Sequence, residues 1–123
     1  MKTEKIKIAE KDIQRTIKDY LQVMENQGKL MFIRSNSLAV QTKDGHYVQT
    51  GKKGSPDILV WARGKLIVLT DKDFIRCIAL EVKSSIGKQS PAQKEWQNKF
   101  EKFGGEYYIV RSVEEVMNII KRR

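Results

Sequence analysis

Two short segments of this chain place charged groups where the surrounding residues predict buried strands. Gly54 to Asp57 runs directly into the apolar residues Ile58 to Trp61, and Glu81 to Lys83 closes the apolar run Ile78 to Leu80. An ionised carboxylate taken out of water without a partner is so costly that buried charges are normally paired or bind a metal ion. We therefore expect these charged residues to form a site.

The charge of the chain indicates what such a site acts on. The 123 residues include 24 Lys and Arg against 15 Asp and Glu, a net charge of +9, and the basic residues are scattered from Lys2 to Lys121. A small domain this basic usually binds a polyanion, most often nucleic acid; a solubility surface or an anionic membrane face is the alternative. The length fits one domain spanning residues 1–123.

The composition also predicts the compartment. No apolar stretch approaches the roughly 20 residues that a membrane-spanning helix needs, and the N-terminus lacks the apolar core of a signal peptide. Cys77 is the only cysteine, so no internal disulfide can form. We expect a cytoplasmic protein without a membrane partner.

Apolar spacing predicts the order helix, several strands, helix, strand, helix. The first helix is expected from about Ala9 to Gln27, with Gly28 as its stop. Strands are expected at 30–34, 38–42, 46–49, 57–61, 66–70, 74–83 and 107–110. Asp44-Gly45 predicts a hairpin turn, and Arg63-Gly64-Lys65 predicts another turn.

Two capping boxes predict where the later helices begin. Ser90 to Gln93 is expected to open a helix with an apolar face of Trp96, Phe100 and Phe103, and Ser112 to Glu115 the last helix. The whole order predicts an α/β fold in which helices flank a mixed β-sheet with a central antiparallel meander.

The strand geometry brings the charged residues together. Glu81 and Lys83 are two positions apart on one strand, so their side chains point to the same face, and the meander can place Asp57 beside Glu81. Two adjacent carboxylates repel each other, and one proton or one divalent cation resolves the conflict. Oxygen ligands favour Mg²⁺ or Mn²⁺, whereas a single Cys and a single His offer no zinc site.

These parts suit phosphodiester hydrolysis. A metal ion held by carboxylates polarises a phosphoryl oxygen and lowers the pKa of a bound water. The Lys83 ammonium can orient that water or stabilise the charge that builds on the phosphate. Glu10 falls on the apolar face of the first helix, because it lies three residues before Ile13 and seven before Ile17, and is a candidate third carboxylate.

The ordered set of motifs resembles the virus-type replication-repair nuclease (VRR-NUC) branch of the PD-(D/E)xK nuclease superfamily, from about residue 9 to residue 120. Its features are a glutamate on an N-terminal helix, G-x-P-D, E-x-K, a helix with a Ser-Pro-x-Gln-like start and a G-G-x-Y strand. They correspond here to Glu10, Gly54 to Asp57, Glu81 to Lys83, Ser90 to Gln93, and Gly104 to Ile109.

The resemblance implies a restriction-endonuclease-like core and a set of roles. Glu10, Asp57 and Glu81 are expected to bind the metal ion together with the backbone carbonyl of Val82. Lys83 is expected to be catalytic.

Gln93 is expected near the site by the same resemblance, although capping alone also explains it. Relatives of this size resemble phage-encoded homodimeric enzymes that cut branched DNA, including Holliday junctions. The expected location is then the bacterial host cell, and no small-molecule cofactor is expected.

Other interpretations remain open at this level. The enzyme alternative is a sequence-specific restriction-type nuclease, and the non-enzyme alternative is a basic nucleic-acid-binding module with a degenerate site. Glu10 also suits the start of a helix for electrostatic reasons alone. Lys52, Lys53 and Lys88 are candidates for DNA phosphate contacts, with solvated loops as the alternative.

The remaining candidate residues have ordinary structural interpretations. His46 is expected at the surface and Cys77 in the core. Trp61 and Trp96 are expected in the core, although an exposed tryptophan can stack on a base.

Overall fold

A computed structural model describes residues 9–35, 38–41, 43–50, 53–65 and 73–122. It contains three helices and six strands in these ranges: α1 (Glu10–Asn26), β1 (Leu30–Arg34), β2 (Leu38–Gln41), β3 (Tyr47–Thr50), β4 (Ile58–Lys65), β5 (Asp73–Val82), α2 (Pro91–Lys102), β6 (Glu106–Val110) and α3 (Val113–Lys121).

Four strands form the main sheet in the order β1-β4-β5-β6. β4 pairs antiparallel with both β1 and β5, whereas β6 runs parallel to β5 and follows α2 in the chain. β2 and β3 form a separate antiparallel hairpin with Val40 opposite Val48. The predicted α/β fold with a mixed sheet, a meander and flanking helices is confirmed.

The first helix forms because its apolar residues recur on one face. Ile13, Ile17 and Leu21 are buried along α1, and the chain leaves the helix at Gly28, whose φ is +73°. Glu10 continues this row towards the N-terminus but is exposed. Glu10 thus has the predicted spacing, but the expectation that it lies on the apolar rather than the solvated side is wrong, because it is exposed.

β4 is longer than predicted. The turn expected at Arg63-Gly64-Lys65 is wrong, because β4 continues through these residues and Lys65 pairs with Asp73 of β5. A Cβ on Gly64 would lie 2.5 Å from Cζ of Phe74, so this glycine makes room for a ring from the opposite strand. The strand and turn predicted over residues 66–72 lie outside the described residues.

The main core lies on the sheet face covered by α1 and α3. Its fully buried side chains include Ile17, Leu21, Ile58, Val60, Ile78, Leu80, Val82, Val110 and Val116. Leu80 and Val82, which flank Glu81 on β5, are both buried here. Because side chains alternate along a strand, Glu81 points to the opposite face.

An unexpected charge is buried in the same layer. The Arg76 guanidinium makes two bonds of 2.8 Å to Glu106 and donates to the carbonyls of Ile119 at 3.0 Å and Arg122 at 2.7 Å. The hydrogen bonds from Arg76 lower the pKa of Glu106. Arg76 therefore holds the end of α3 against the sheet.

The second helix covers part of the opposite face. The predicted capping box is confirmed, since Ser90 Oγ accepts the N–H of Gln93 and Gln93 Oε1 accepts the N–H of Ser90. Trp96 stacks on Phe100 at 4.8 Å between ring centroids. Phe103 lines the same groove as Trp96 and Phe100, in keeping with the predicted face, but it is the C-cap residue and is 92% exposed.

The last helix is capped differently from the prediction. Ser112 Oγ accepts the N–H of Glu115 at 3.3 Å, but the Glu115 carboxylate accepts the N–H of Arg111 rather than that of Ser112. His46 is exposed as expected, whereas Cys77 is half-buried rather than in the core. Trp61 and Trp96 are also half-buried.

Candidate active site

Three segments that are distant in sequence meet at one end of the sheet. They are the loop before β4, the end of β5 and the first turn of α2, and they enclose a pocket of about 210 Å³. Its lining includes Lys53, Gly54, Asp57, Glu81, Ala92 and Gln93. Both predicted carboxylates, Asp57 and Glu81, therefore face one cavity.

The strand register brings the two carboxylates together. Ile58 lies opposite Leu80 in the antiparallel ladder, so one step further Asp57 comes opposite Glu81. Asp57 Oδ2 accepts a hydrogen bond from the backbone N–H of Val82 at 2.7 Å. Asp57 is 9% exposed and Glu81 only 2%, so the pair is held away from bulk water.

Burial and mutual repulsion decide the charge of this pair. Burial, then the negative charge of Asp57, raises the pKa of Glu81 to about 8, and the Lys83 ammonium acts against that rise. Burial also raises the pKa of Asp57, whereas the hydrogen bond from Val82 acts in the opposite direction. At neutral pH the pair therefore retains a proton in the absence of a cation, mainly on Glu81.

One carboxylate oxygen has no partner among the described residues. Glu81 Oε1 accepts a hydrogen bond from Gln93 Nε2 at 2.8 Å and lies 3.5 Å from Lys83 Nζ. Glu81 Oε2 is buried and unpaired in the described part of the chain. Leaving such an oxygen unsatisfied is unfavourable, and a hard divalent cation supplies the interaction it lacks. The donor set at this position therefore fits Mg²⁺ or Mn²⁺.

The other two predicted ligands contribute differently. Val82, whose backbone carbonyl was predicted to bind the metal ion, lies next to Glu81 and donates its N–H to Asp57. Glu10 is exposed at the first position of α1, and its charge contributes to raising the pKa of Asp57. Within the described ranges, no three His, Cys, Asp or Glu side chains form a cluster that could hold a metal ion. Glu10 thus lies at the margin of the site.

Lys83 is held in place by the loop that follows it. Its side chain is 13% exposed, and its Cβ and Cδ lie 3.3 Å from where a Cβ on Gly87 would be. Arg111 donates from Nη1 to the carbonyl of Ser84 and, at 3.0 Å, to that of Gly87. Arg111 was not identified from the sequence, because a single arginine after a strand carries no distinguishing pattern.

The loop before β4 approaches α2 so closely that it requires glycine. Gly54 has φ +84°, and a Cβ on it would overlap the backbone carbonyl of Ala92. Only glycine combines this φ with the absence of a side chain. The close contact brings the Asp57 loop against the helix turn that carries Gln93.

Tyr107 is a second residue that the sequence analysis missed. It is 8% exposed, and its hydroxyl is buried. Burial raises its pKa to about 12, the charges of Glu81 and Asp57 add to the rise, and Gln89 opposes it. Tyr107 pairs with Ala79, two residues before Glu81, so alternation along β5 was the available signal.

The predicted DNA-contacting lysines occupy different places. Lys53 is exposed and lines the pocket. Lys88 is exposed in the loop between β5 and α2, and it does not line the pocket. Lys52 lies outside the described residues.

The mixed sheet flanked by helices is consistent with a restriction-endonuclease-like fold, and the family match places the chain among nucleases of the PD-(D/E)xK type. Residues 7–114 match the VRR-NUC domain, and the chain therefore belongs to the VRR-NUC family. Enzymes of the PD-(D/E)xK type generally use divalent metal ions, and the substrate class of a nuclease domain is DNA.

Comparison with curated proteins and with solved structures yields no match. Among the residues that the structure describes, no helix is both long and apolar enough to cross a bilayer.

Proposed function

We propose that this protein is a divalent-metal-dependent endodeoxyribonuclease. The observation that carries the proposal is the buried Asp57–Glu81 pair, with one unpaired Glu81 oxygen and the Lys83 ammonium beside it. The proton that Glu81 retains in the absence of a cation is the one that a bound metal ion displaces.

Each residue has a distinct part in this proposal. Asp57 and Glu81 hold Mg²⁺ or Mn²⁺ with the Val82 carbonyl, and Glu10 contributes a further carboxylate from α1. A divalent ion held by these residues would polarise a phosphoryl oxygen and lower the pKa of a water bound to it. Lys83 orients the attacking water and stabilises negative charge on the phosphate. Gln93 fixes Glu81 by donating to Oε1, which leaves Oε2 for the metal ion.

We further propose that the substrate is branched DNA, such as a four-way junction, and that the enzyme acts as a homodimer. The net charge of +9 supports contacts with several duplex arms. Symmetric cleavage of a four-way junction needs two active sites related by a two-fold axis, and each chain supplies one. The resemblance to junction-cutting relatives favours this substrate over a linear duplex.

The test is cleavage of end-labelled linear, flap, splayed and four-way DNA, with Mg²⁺ and with chelator. Wild-type protein is expected to cut the four-way substrate only with Mg²⁺, and Glu81→Gln to bind it without cutting. Glu101→Gln is the matched control, because this acid is exposed on α2 outside the pocket. Full activity of Glu81→Gln contradicts the proposed site.

The same assay separates the alternatives. Cleavage of linear duplex at one sequence indicates a restriction-type enzyme. Binding without cleavage under every metal condition indicates a non-catalytic module.

A further inference from the structure

A second groove lies next to the candidate active site. It has a volume of about 390 Å³ and is lined by residues of α2 together with the Asp57 loop: Lys53, Ala92, Glu95, Trp96, Lys99, Phe100 and Phe103. Lys53 and Ala92 line both this groove and the active-site pocket. The two cavities are therefore contiguous, and a strand whose phosphate enters one passes the other.

The groove is rich in aromatic surface. Trp96 and Phe100 are stacked with an angle of 27° between their planes, and Phe103 is 92% exposed at the end of α2. All three rings line the same groove and form one apolar surface, and a contiguous surface of this kind marks a contact site. Its volume falls in the range of about 300–1,000 Å³ that is typical of small-ligand sites.

The charges around the groove suit a phosphate backbone. Lys53 is exposed at one end, and Lys99 lies on the helix. Lys99 pairs with Glu95 at 3.4 Å, but both side chains are more than 70% exposed. Exposed pairs of this kind contribute little stability, so Lys99 can turn to a phosphate at little cost. Aromatic faces together with lysines are the combination that binds unpaired nucleotides.

We propose that this groove stacks an unpaired nucleobase of the cleaved strand, adjacent to the scissile phosphate. The inference rests on the proposed function, because that function places the scissile phosphodiester in the neighbouring pocket. A fully paired duplex keeps its bases stacked inside the helix, whereas a flap or splayed branch presents bases that are already unpaired, and the paired bases at the crossover of a four-way junction must first be opened. The groove would thus supply the preference for branched DNA.

The experiment measures stacking directly and does not depend on cleavage. A flap or splayed-arm DNA carries 2-aminopurine at an unpaired position beside the branch, and a fully paired duplex carries it at the same place. Binding is followed by anisotropy and by 2-aminopurine fluorescence in chelator. Wild-type protein is expected to quench the unpaired probe, and Phe103→Ala to lose the quenching and bind this DNA about tenfold more weakly. Phe103→Trp is expected to restore both.

Matched variants separate stacking from general effects. Met31→Ala removes another exposed apolar side chain, on β1, which does not line the groove and is expected to bind like wild type. Lys99→Ala is expected to weaken binding more than Lys102→Ala, because both are exposed on α2 but only Lys99 lines the groove. Duplex binding is expected to be the same for wild type and Phe103→Ala.

Three results overturn the inference. One is unchanged quenching in Phe103→Ala, and another is an equal loss of affinity for the paired duplex. A third is that Phe103→Ala loses the dimer mass in light scattering while its quenching is unchanged. That result would identify the surface as a contact between chains. Because binding is read in chelator, a protein that never cleaves DNA can still show the stacking, so the two proposals fail separately.

Discussion

Gln93 connects the start of α2 to the buried carboxylate of Glu81. Its Nε2 donates to Glu81 Oε1 at 2.8 Å, and its own Oε1 accepts the N–H of Ser90 at the same distance. One amide therefore completes the helix cap and orients the carboxylate. A residue that capping alone explained in the sequence has a second contact that only the fold reveals.

The two contacts of Gln93 can be separated by mutation. Ser90→Ala removes the hydroxyl that caps Gln93 N–H but leaves the Gln93 side chain on Glu81, so we expect a loss of about 1 kcal/mol in unfolding free energy with activity retained. Gln93→Ala should lose similar stability and also lower kcat about tenfold, because Glu81 is no longer fixed. Urea unfolding and cleavage kinetics measure the pair. Equal kcat values for both variants would contradict a role at the site.

Glu81 should make the metal-free protein less stable as pH rises. Its pKa is about 8 in the folded chain against an ordinary value of 4.5, so the folded state holds a proton that the unfolded state has released. The stabilisation is complete below about pH 4.5 and is lost as pH rises through about 8. Relative to wild type, the free energy of unfolding of Glu81→Gln should rise by up to about 1.4 kcal/mol for each pH unit between about pH 4.5 and pH 8.

Thermal unfolding in chelator from pH 5 to pH 8.5 tests this dependence. Glu95→Gln serves as the control, because this exposed acid should leave the wild-type profile unchanged. Parallel profiles for wild type and Glu81→Gln would show that Glu81 does not titrate in this range.

Divalent cations should stabilise the protein through Asp57 and Glu81. At a concentration of 100 times Kd, Mg²⁺ or Mn²⁺ is expected to add about 2.7 kcal/mol, and chelator should reverse the effect. At one fixed cation concentration the stabilisation should be larger at pH 8 than at pH 6, because Glu81 must lose its proton to bind the ion. Calorimetry with Asp57→Asn should show no binding, whereas Glu95→Gln should bind normally. Undiminished binding by Asp57→Asn would place the metal ion elsewhere.

Gly54 should tolerate substitution less well than Gly28. Both have positive φ, so alanine is strained at either position by roughly 1–2 kcal/mol. Nothing lies within 4 Å of a Cβ on Gly28, but a Cβ on Gly54 would overlap the Ala92 carbonyl. Gly54→Ala is therefore expected to lose about 1–3 kcal/mol more in urea unfolding and to reduce cleavage. Equal losses for the two variants would show that the loop moves away freely.

Arg111 should affect turnover through the loop that supports Lys83. Arg111→Lys keeps the charge but lacks the guanidinium that bonds the carbonyls of Ser84 and Gly87. We expect kcat to fall about tenfold in both Arg111→Lys and Arg111→Ala, with KM little changed, because a misplaced ammonium loses transition-state contacts. Arg15→Ala, on the exposed surface of α1, is the control. Full turnover of Arg111→Lys would show that the charge suffices.

Local patterns predicted most of the architecture correctly. The helix row of Ile13, Ile17 and Leu21, the Asp44-Gly45 hairpin and the Ser90 capping box each depend on neighbours a few residues away, and all are present. The approach of Asp57 to Glu81 was also predictable, because Asp57 comes at the start of one strand of the meander and Glu81 at the end of the next. The strand register, which the sequence does not specify, places the two residues directly opposite each other.

The features that were not predicted from the sequence depend on contacts between residues far apart in the chain. The sequence Arg63-Gly64-Lys65 has the composition of a turn, and only the ring of Phe74 on the facing strand explains a glycine inside β4. Burial of Arg76 depends on Glu106 and on the carbonyls that end α3, which no local pattern shows. Exposure of Glu10 likewise depends on where the sheet ends beneath α1.

β5 carries two buried ionisable side chains, and each lies at a helix end whose dipole is opposite in sign to the charge that the side chain can carry. Arg76 binds carbonyls at the C-terminus of α3, where the helix dipole is negative, and Glu81 contacts Gln93 in the first turn of α2, where the dipole is positive. The two helix ends thus favour a basic side chain at position 76 of β5 and an acidic side chain at position 81. Exchanging Arg76 with Glu106 would keep the ion pair but set a carboxylate against unpaired carbonyls. The double variant that exchanges Arg76 and Glu106 should therefore not recover the stability of the wild-type fold, even though its net charge is unchanged.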